Sequence, residues 1–177
     1  KKLFGGFLKT PLYTEIAILE GHTESVRCIT IHENIIYSGG DGDDDGIIRI
    51  WNTETYEEIA TLRGDMKSVF CLALHDNKLY SGHMDTTIRI WNTETRELIA
   101  TLEGHTGFVD CIIVHNNKLF SGSNDNTIHV WNIETYEIVA TLRGHTNWVD
   151  WLTINENNLV SGSWEQTIRI WNTETYE

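Results

Sequence analysis

A tryptophan that returns every 40 residues is the feature that most constrains how this 177-residue chain can fold. The four members of the series, each followed by asparagine, are Trp51, Trp91, Trp131 and Trp171. The glycines that open the same segments, at intervals of 43, 40 and 40 residues, are Gly21, Gly64, Gly104 and Gly144. A fixed period of this length is typical of repeat architectures, whose units are stable only when stacked on their neighbours. We therefore predict four stacked units, the first of them three residues longer than the others.

The third unit shows what each unit contains. Its residue pattern predicts four short strands, at Val109 to His115, Lys118 to Gly122, Thr127 to Trp131 and Glu137 to Leu142. Turn-forming residues separate the strands, beginning with the pair Asn116 and Asn117. No stretch has the 3.6-residue period of an amphipathic helix. Four antiparallel strands in 40 residues predict a blade of an all-β propeller.

Composition and charge exclude several classes of partner. The net charge of −13 argues against nucleic acid or an anionic membrane, since such binding requires clustered Lys and Arg. No apolar run approaches the roughly 18 residues that span a bilayer. The apolar patch after Lys1 and Lys2 is broken by two glycines and is too short for a signal peptide. We expect a soluble cytoplasmic or nuclear protein without a cofactor.

The three cysteines occupy one repeat position. Cys28, Cys71 and Cys111 each lie two residues after a valine, and Trp151 takes this place in the fourth unit. An odd number at equivalent strand positions favours small core side chains over disulfides or metal ligands.

The units resemble the WD-repeat β-propeller family. The resemblance rests on the Gly-His pairs at Gly21, Gly104 and Gly144 and on the Trp-Asn pairs, which stand where the family often has Trp-Asp. It covers nearly the whole chain. It implies four WD-type blades of four antiparallel strands per chain, and a role in protein interaction.

In this family a histidine, a serine, an aspartate and a tryptophan form a hydrogen-bonded chain inside each blade. The resemblance implies such structural tetrads at His22, Ser38, Asp45 and Trp51; at Ser81, Asp85 and Trp91; at His105, Ser121, Asp125 and Trp131; and at His145, Ser161, Glu165 and Trp171. Asp65 replaces histidine in the second unit, and glutamate replaces aspartate in the fourth, so we expect those two blades to be tied less well. Serine, histidine and aspartate also form the catalytic triad of enzymes with a serine nucleophile. The set recurs in successive units, however, and one catalytic site would not need it repeatedly.

The insertion in the first unit is acidic. Its sequence from Asp41 to Gly46 places carboxylates at alternate positions before a glycine, as at the start of a calcium loop. The twelfth position of such a loop would be Asn52 and not a bidentate glutamate. A solvated acidic turn is the main interpretation, and a calcium-binding or enzymatic propeller that uses Asp41 to Asp45 is the alternative. No metal ligand is assigned.

WD-repeat propellers usually bind partners on their top rim. Carried over to this chain, the rim comprises Arg27, Phe70, Met84, Phe108, Asp110, Trp148, Asp150 and Trp164. These positions differ most between units, and large aromatic residues with charged neighbours are common interface anchors. The alternative is that the aromatic residues only pack on one another across adjacent blades.

The segment from Glu15 to Leu19 resembles an outer strand, whereas the fourth unit lacks its own. We divide the chain into an N-terminal segment, 1–20, whose strand completes the last blade, and blades at 21–63, 64–103, 104–143 and 144–177. A circle of four blades requires about 90° per blade, far more than rings of seven or eight require. We therefore expect two chains to exchange outer strands in an eight-bladed ring. A four-bladed monomer or a fragment remains an alternative.

The expected function is a non-catalytic scaffold or substrate adaptor that binds a protein or peptide on the rim. The alternatives are the calcium-binding or enzymatic propeller and an excised or engineered propeller fragment without a specific partner.

Overall fold

The computed structural model describes residues 14–42, 46–64 and 67–176, whose strands form four antiparallel sheets. Each sheet corresponds to one sequence unit, and we call the sheets blades 1 to 4. Strands adjacent in the chain are adjacent in the sheet, and at most six residues separate consecutive strands of a blade. No helix in the described ranges has the length and apolar character needed to cross a membrane.

Three blades have four strands and the last has three. Blade 1 contains β1 (Val26–His32), β2 (Ile35–Gly40), β3 (Ile47–Asn52) and β4 (Glu58–Arg63). Blade 2 contains β5 (Val69–His75), β6 (Lys78–His83), β7 (Ile88–Asn92) and β8 (Leu98–Leu102). Blade 3 contains β9 (Val109–His115), β10 (Lys118–Ser123), β11 (Thr127–Asn132) and β12 (Ile138–Arg143). Blade 4 contains β13 (Val149–Asn155), β14 (Asn158–Ser163) and β15 (Ile168–Asn172).

The tight turns form where their residues predict them. Asn116 and Asn117 join β9 to β10 with φ angles of 48° and 56°. This is the left-handed region, which asparagine enters more readily than most other residues. Local residues therefore set the ends of the strands, and the four strands predicted in the third unit are present with ends that differ by a residue or less.

The hydrophobic core lies between neighbouring blades. Phe120, Ile128 and Val130 of blade 3 are at most 1% exposed and belong to one cluster with Val149 and Leu159 of blade 4. Equivalent clusters join blade 1 to blade 2 and blade 2 to blade 3. Burying one such side chain stabilises the fold by about 1.5–3 kcal/mol, so the stability of the array comes from its interfaces.

A glycine and a cysteine allow the inner strands to approach closely. A Cβ atom on Gly122 would lie 2.6 Å from Cys111 Sγ and 2.8 Å from Val149 Cγ1 of the next blade. The thiols of Cys28, Cys71 and Cys111 donate to the carbonyls of Val69, Val109 and Val149 over 3.4, 3.5 and 3.3 Å. Burial raises the pKa of Cys28 to about 12. The three thiols are free and packed, which confirms the core role predicted for them.

The predicted outer strand is not formed in the single chain. Residues 14–20 form no strand, and Ile16 and Ile18 are 83% and 67% exposed. Within the part of the chain that the structure describes, β15 accordingly has no outer neighbour in its sheet, because residues 14–20 do not pair with it.

Candidate functional site

A chain of buried hydrogen bonds ties blade 3 together. Trp131 Nε1–H donates to Ser121 Oγ over 2.8 Å, and Ser121 Oγ lies 2.7 Å from His105 Nε2. His105 Nδ1 lies 2.7 Å from Asp125 Oδ2. Because the serine oxygen accepts from the indole, its own proton goes to Nε2, and the Nδ1 proton then goes to the carboxylate. These buried polar groups satisfy one another and fix the segment before β9 to the sheet.

The carboxylate at the end of this chain is held in its charged form. Asp125 also accepts from Thr106 N over 3.0 Å and from Thr127 Oγ1 over 2.6 Å. Burial acts to raise the pKa of Asp125, but the hydrogen bonds from His105 and Thr127 outweigh it and hold the pKa well below its usual range. The charge therefore persists throughout the neutral range.

Glu165 takes the same place in blade 4. Its Oε1 lies 2.6 Å from His145 Nδ1, and its Oε2 accepts from Thr146 N over 2.6 Å. Trp171 Nε1–H donates to Ser161 Oγ over 2.9 Å, and Ser161 Oγ lies 2.7 Å from His145 Nε2. The longer glutamate reaches the equivalent donors, so the hydrogen-bonded set is complete in this blade, and the expectation of a weaker tie stays a prediction.

Blade 1 contains the same arrangement in its described part. Trp51 Nε1–H donates to Ser38 Oγ over 2.8 Å, and Ser38 Oγ lies 2.7 Å from His22 Nε2. The predicted fourth member, Asp45, lies outside the described residues.

Blade 2 obtains its imidazole from an unexpected position. His83 on β6 is 1% exposed, and its Nε2 lies 2.7 Å from Ser81 Oγ, which also accepts from Trp91 Nε1 over 2.9 Å. Arg89 donates to Asp85 Oδ2 over 2.6 Å and lies 3.2 Å from His83 Nδ1. The serine and the tryptophan of this blade thus have an imidazole partner although the opening histidine is absent, and the expected weakening of the blade stays a prediction. The signal available in the sequence was a histidine two residues after the serine, in the unit that lacks the opening histidine.

These sets have the geometry of structural ties. Each of the four serines is at most 3% exposed and accepts from an indole. A nucleophile needs access to substrate, and these hydroxyls have none. This geometry favours the structural interpretation of the Ser-His-acid sets.

One group in the described ranges has metal-ligand geometry. Ligand atoms of His105, Asp125 and His129 lie within 4.8 Å of one another. Both ring nitrogens of His105 are already engaged within the tetrad. His129 stacks on His105 at 4.0 Å, and burial, followed by the charge of His105, lowers the pKa of His129 to about 4. The neutral ring of His129 thus stands where the other blades have arginine.

The predicted rim positions come together at one end of each blade. The start of the inner strand and the turn after the second strand are joined by a backbone hydrogen bond. These bonds are Asp41 N to Ser25 O, Met84 N to Ser68 O, Asn124 N to Phe108 O and Trp164 N to Trp148 O, at 2.9 to 3.1 Å. The bond places the variable side chains of both segments side by side.

Aromatic and charged side chains contact one another along this rim. Arg27 lies 5.0 Å above the Phe70 ring, and Phe70 meets Phe108 edge-on at 5.6 Å. The rings of Trp148 and Trp164 lie 5.3 Å apart. Phe70 and Phe108 pack across adjacent blades, whereas the two tryptophans pack within one blade. The aromatic residues thus contact one another and also line open space.

The rim residues surround one cavity. Of the eight predicted rim residues, all but Met84 line a concavity of about 650 Å³. Met84 is 40% exposed and accepts a weak hydrogen bond from Ser68 Oγ over 3.9 Å. The Trp164 indole donates to Asp150, which fixes one wall of the cavity.

Two buried oxygen atoms in this cavity lack donors. No described residue donates a hydrogen bond to Asp110 Oδ2 or to Asn124 Oδ1. Burial, followed by the charge of Asp150, raises the pKa of Asp110 to about 7. Burial also raises the pKa of Asp150. The floor of the rim is therefore acidic and short of hydrogen-bond donors.

The candidate calcium loop lies partly outside the described residues. Asp41 accepts from Arg27 Nε over 2.8 Å, and a hydrogen bond from Ser68 is the largest of the effects that lower the pKa of Asp41. The carboxylate is thus paired with cationic and neutral donors. Residues 43–45 are outside the described ranges, and calcium binding stays a prediction.

The sheets, their interfaces and the buried tetrads define a repeat protein of the β-propeller class. The family model described as WD domain, G-beta repeat, matches residues 13–52, 56–92, 96–132 and 136–172. The chain therefore belongs to the WD40 repeat family. WD40 domains generally bind proteins and are generally not enzymes, which supports an interaction scaffold as the kind of role.

Solved structures share this fold. The computationally designed Ika4 protein is 30% identical with a TM-score of 0.82, over 91% of this chain and 99% of that chain. The computationally designed Ika8 protein is 31% identical with a TM-score of 0.78, over 87% of this chain and 48% of that chain. U3-55K has a TM-score of 0.84 at 24% identity, over 91% of this chain and 53% of that chain, and shows the fold alone. No curated protein matches the sequence.

Proposed function

We propose that this chain is a non-catalytic interaction scaffold or adaptor whose rim cavity receives a cationic side chain of a partner protein. The observation that carries the proposal is the pair of buried oxygen atoms on Asp110 and Asn124 that accept a hydrogen bond from none of the described residues. A buried acceptor without a donor costs about 1–3 kcal/mol. A guanidinium or ammonium group entering the cavity would supply the missing hydrogen bonds.

The walls of the cavity suit the same ligand. Guanidinium groups are attracted to aromatic ring faces. The chain already places Arg27 above Phe70 in this way, so rings on this rim can accept such a group. Trp148 and Trp164, 42% and 61% exposed, offer further ring surface. The net charge of −13 attracts a basic partner before contact.

The test is a calorimetric titration with two synthetic peptides, acetyl-Gly-Gly-Arg-Gly-Gly-amide and its citrulline counterpart, which has nearly the same shape without the charge. A charge-assisted hydrogen bond contributes about 1.5–3 kcal/mol, so we expect the arginine peptide to bind about tenfold more tightly or better. Asp110→Asn should abolish this preference. The matched control is Asp76→Asn, which should retain the preference for the arginine peptide. The Asp76 side chain is 84% exposed and follows β5 at the end of the strand away from the rim. Equal binding of the two peptides, or binding of neither, would contradict the proposal.

The affinity should also depend on pH. The pKa of Asp110 is about 7, so acidification below this value protonates the carboxylate that holds the cation. We expect arginine-peptide binding to strengthen between pH 6 and pH 8 in the unaltered chain. In Asp110→Asn the affinity should be nearly flat over this range. A pH profile that Asp110→Asn leaves unchanged would assign the ligand contact elsewhere.

A further inference from the structure

The open side of blade 4 has the composition of a blade interface without a neighbour. Ile168 and Ile170 on β15 are 74% and 67% exposed. Their equivalents in blade 3, Ile128 and Val130, are 1% and 0% exposed because blade 4 covers them. The equivalents in blades 1 and 2 are likewise at most 2% exposed, namely Ile48, Ile50, Ile88 and Ile90.

The open side of blade 1 is the other half of such an interface. Val26, Ile29 and Ile31 on β1 are 54%, 66% and 61% exposed. The residues equivalent to Val26, which are Val69, Val109 and Val149, are each 0% exposed. The two ends of the array therefore present the complementary surfaces that pack together at all three internal junctions.

A glycine marks the vacant contact. A Cβ atom on Gly39, Gly82 or Gly122 would lie 2.7 to 2.8 Å from the valine Cγ1 of the next blade. At Gly162 the nearest atom is 3.6 Å away and belongs to Trp151 of the same blade. Apart from Trp151 and the two chain neighbours of Gly162, no residue in the described ranges comes within 4 Å of the place where a Cβ atom on Gly162 would meet a following valine.

We propose that a second copy of this chain docks its blade 1 against blade 4, and that the reciprocal contact closes an eight-bladed ring of two copies. Continuity with the internal junctions favours another WD blade as the occupant, since Val26, Ile168 and Ile170 occupy positions that are buried at every internal junction. Inner strands β1, β5, β9 and β13 pack in series, and in the described ranges β13 does not pack on β1 in the same way. Propellers have four to eight blades, and a head-to-tail interface must close or propagate. For this 177-residue chain, two copies give eight blades, which lies within that range.

Docking would also supply the missing outer strand. At each internal junction the outer strand of one blade leads directly into the inner strand of the next, as β12 leads into β13. Residues 15–19 precede β1 in the same way. In blade 3, Ile128 pairs with Leu142 and Val130 with Ala140. The same register would pair Ile168 with Leu19, and Ile170 with Ala17, of the second copy.

Trp151 makes this junction different from the others. It occupies the position of the interface cysteines and is 76% exposed. Its indole is larger than a thiol, and it lines the rim cavity. In the proposed ring this indole would therefore lie beside the rim cavity.

The experiment is the solution mass by light scattering over a range of concentrations. The unaltered chain should have twice the mass of one 20.3 kDa chain. Ile168→Asp should reduce it to 20.3 kDa, because a charge on the docking face cannot be buried there. The same substitution at Val139, 48% exposed on the outer strand β12, is the control and should leave the mass of two copies.

Gly162→Val provides a second variant. Valine fits the single chain because the nearest atom to its Cβ is 3.6 Å away, but in the ring it would overlap Val26 of the second copy. We expect a folded species with the mass of one chain. An unaltered chain of one-copy mass would overturn the proposal and leave the end faces to another partner or to further blades. A mass above two copies would instead show an open filament or a larger ring.

Discussion

Each blade depends on single residues with interlocking hydrogen bonds. In blade 3 the Ser121 oxygen accepts from the Trp131 indole, and the serine proton goes to the imidazole of His105, whose other nitrogen faces a carboxylate. Removing the serine would leave two buried groups without partners at once. The loss in the free energy of unfolding is then set by the desolvation of the unpaired groups and not by the net contribution of one hydrogen bond.

Ser121→Ala tests this interdependence. Trp131 Nε1–H and His105 Nε2 would each lose their partner, at a cost of about 1–3 kcal/mol for each group. We expect a clear fall in the free energy of unfolding, measured by urea denaturation followed by circular dichroism. Thr135→Ala, at an exposed turn residue whose hydroxyl makes no described hydrogen bond, is the control and should change it little. Equal effects of the two substitutions would contradict the role assigned to Ser121.

His83 makes stability depend on pH. Burial, followed by the charge of Arg89, lowers the pKa of His83 from 6.5 to about 4. Between these values the unfolded chain binds more protons than the folded one, so acidification lowers the free energy of unfolding. We expect His83→Gln to remove about 1.4 kcal/mol of this loss for each pH unit between 6.5 and 4. His32→Gln, at an exposed position, should retain the full dependence.

The comparison of His83→Gln with His32→Gln isolates one group from the others that titrate in this range. Asp110, for example, contributes in the opposite direction, because its pKa is raised to about 7 and its protonation favours the folded state. Identical pH profiles for His83→Gln and the unaltered chain would show that His83 does not carry the dependence.

The strands illustrate what local sequence can and cannot predict. The strands of blade 3 were predicted closely because turn residues such as Asn116 and Asn117 fix their ends locally. The outer strand Glu15–Leu19 is not formed in the single chain. A segment forms a strand only beside the free edge of a sheet, and the 40-residue period does not show whether such an edge lies within reach of residues 15–19. His83 was missed for a related reason, since the repeat predicts equivalent positions and this histidine fills a role from a different one.

At the level of the blade interface, Gly122→Ala should be destabilising. The added methyl group would lie 2.6 Å from Cys111 Sγ and 2.8 Å from Val149 Cγ1, and such overpacking costs about 1–3 kcal/mol. The measurement is the thermal midpoint by calorimetry, and the comparison is Gly162→Ala in the single-copy Ile168→Asp background. Gly162→Ala should change the thermal midpoint little, because the nearest atom to the added methyl group is 3.6 Å away. Similar losses for the two glycines would contradict the assigned packing.

At the scale of the whole molecule, the rim and the two end faces are separate surfaces. The rim positions were identified by the register that the family resemblance implies, and the cavity gathers all of them except Met84. The raised pKa of Asp110 was beyond sequence reasoning, since it depends on burial and on Asp150 of the neighbouring blade. The role of the rim in partner binding stays a prediction.

The end faces determine what assembles. Their side chains are those of ordinary interface positions, so the sequence of the units does not distinguish them from buried ones. Only the stacking order leaves the faces of β1 and β15 uncovered, as the exposures of Val26 and Ile168 show. Closure by a second copy determines whether the rim is an arc or a complete ring.

The most direct measurement is a disulfide trap between two differently marked copies. Arg169 of blade 4 should lie opposite Ile18 of the other copy, as His129 lies opposite Thr141 within blade 3. Mixing chains that carry Ile18→Cys with chains that carry Arg169→Cys, under mild oxidation, should give a covalent species with the mass of two chains. Either variant alone, or the unaltered chain, should not. Failure of the mixture to cross-link, or equal cross-linking of each variant alone, would contradict the two-copy ring.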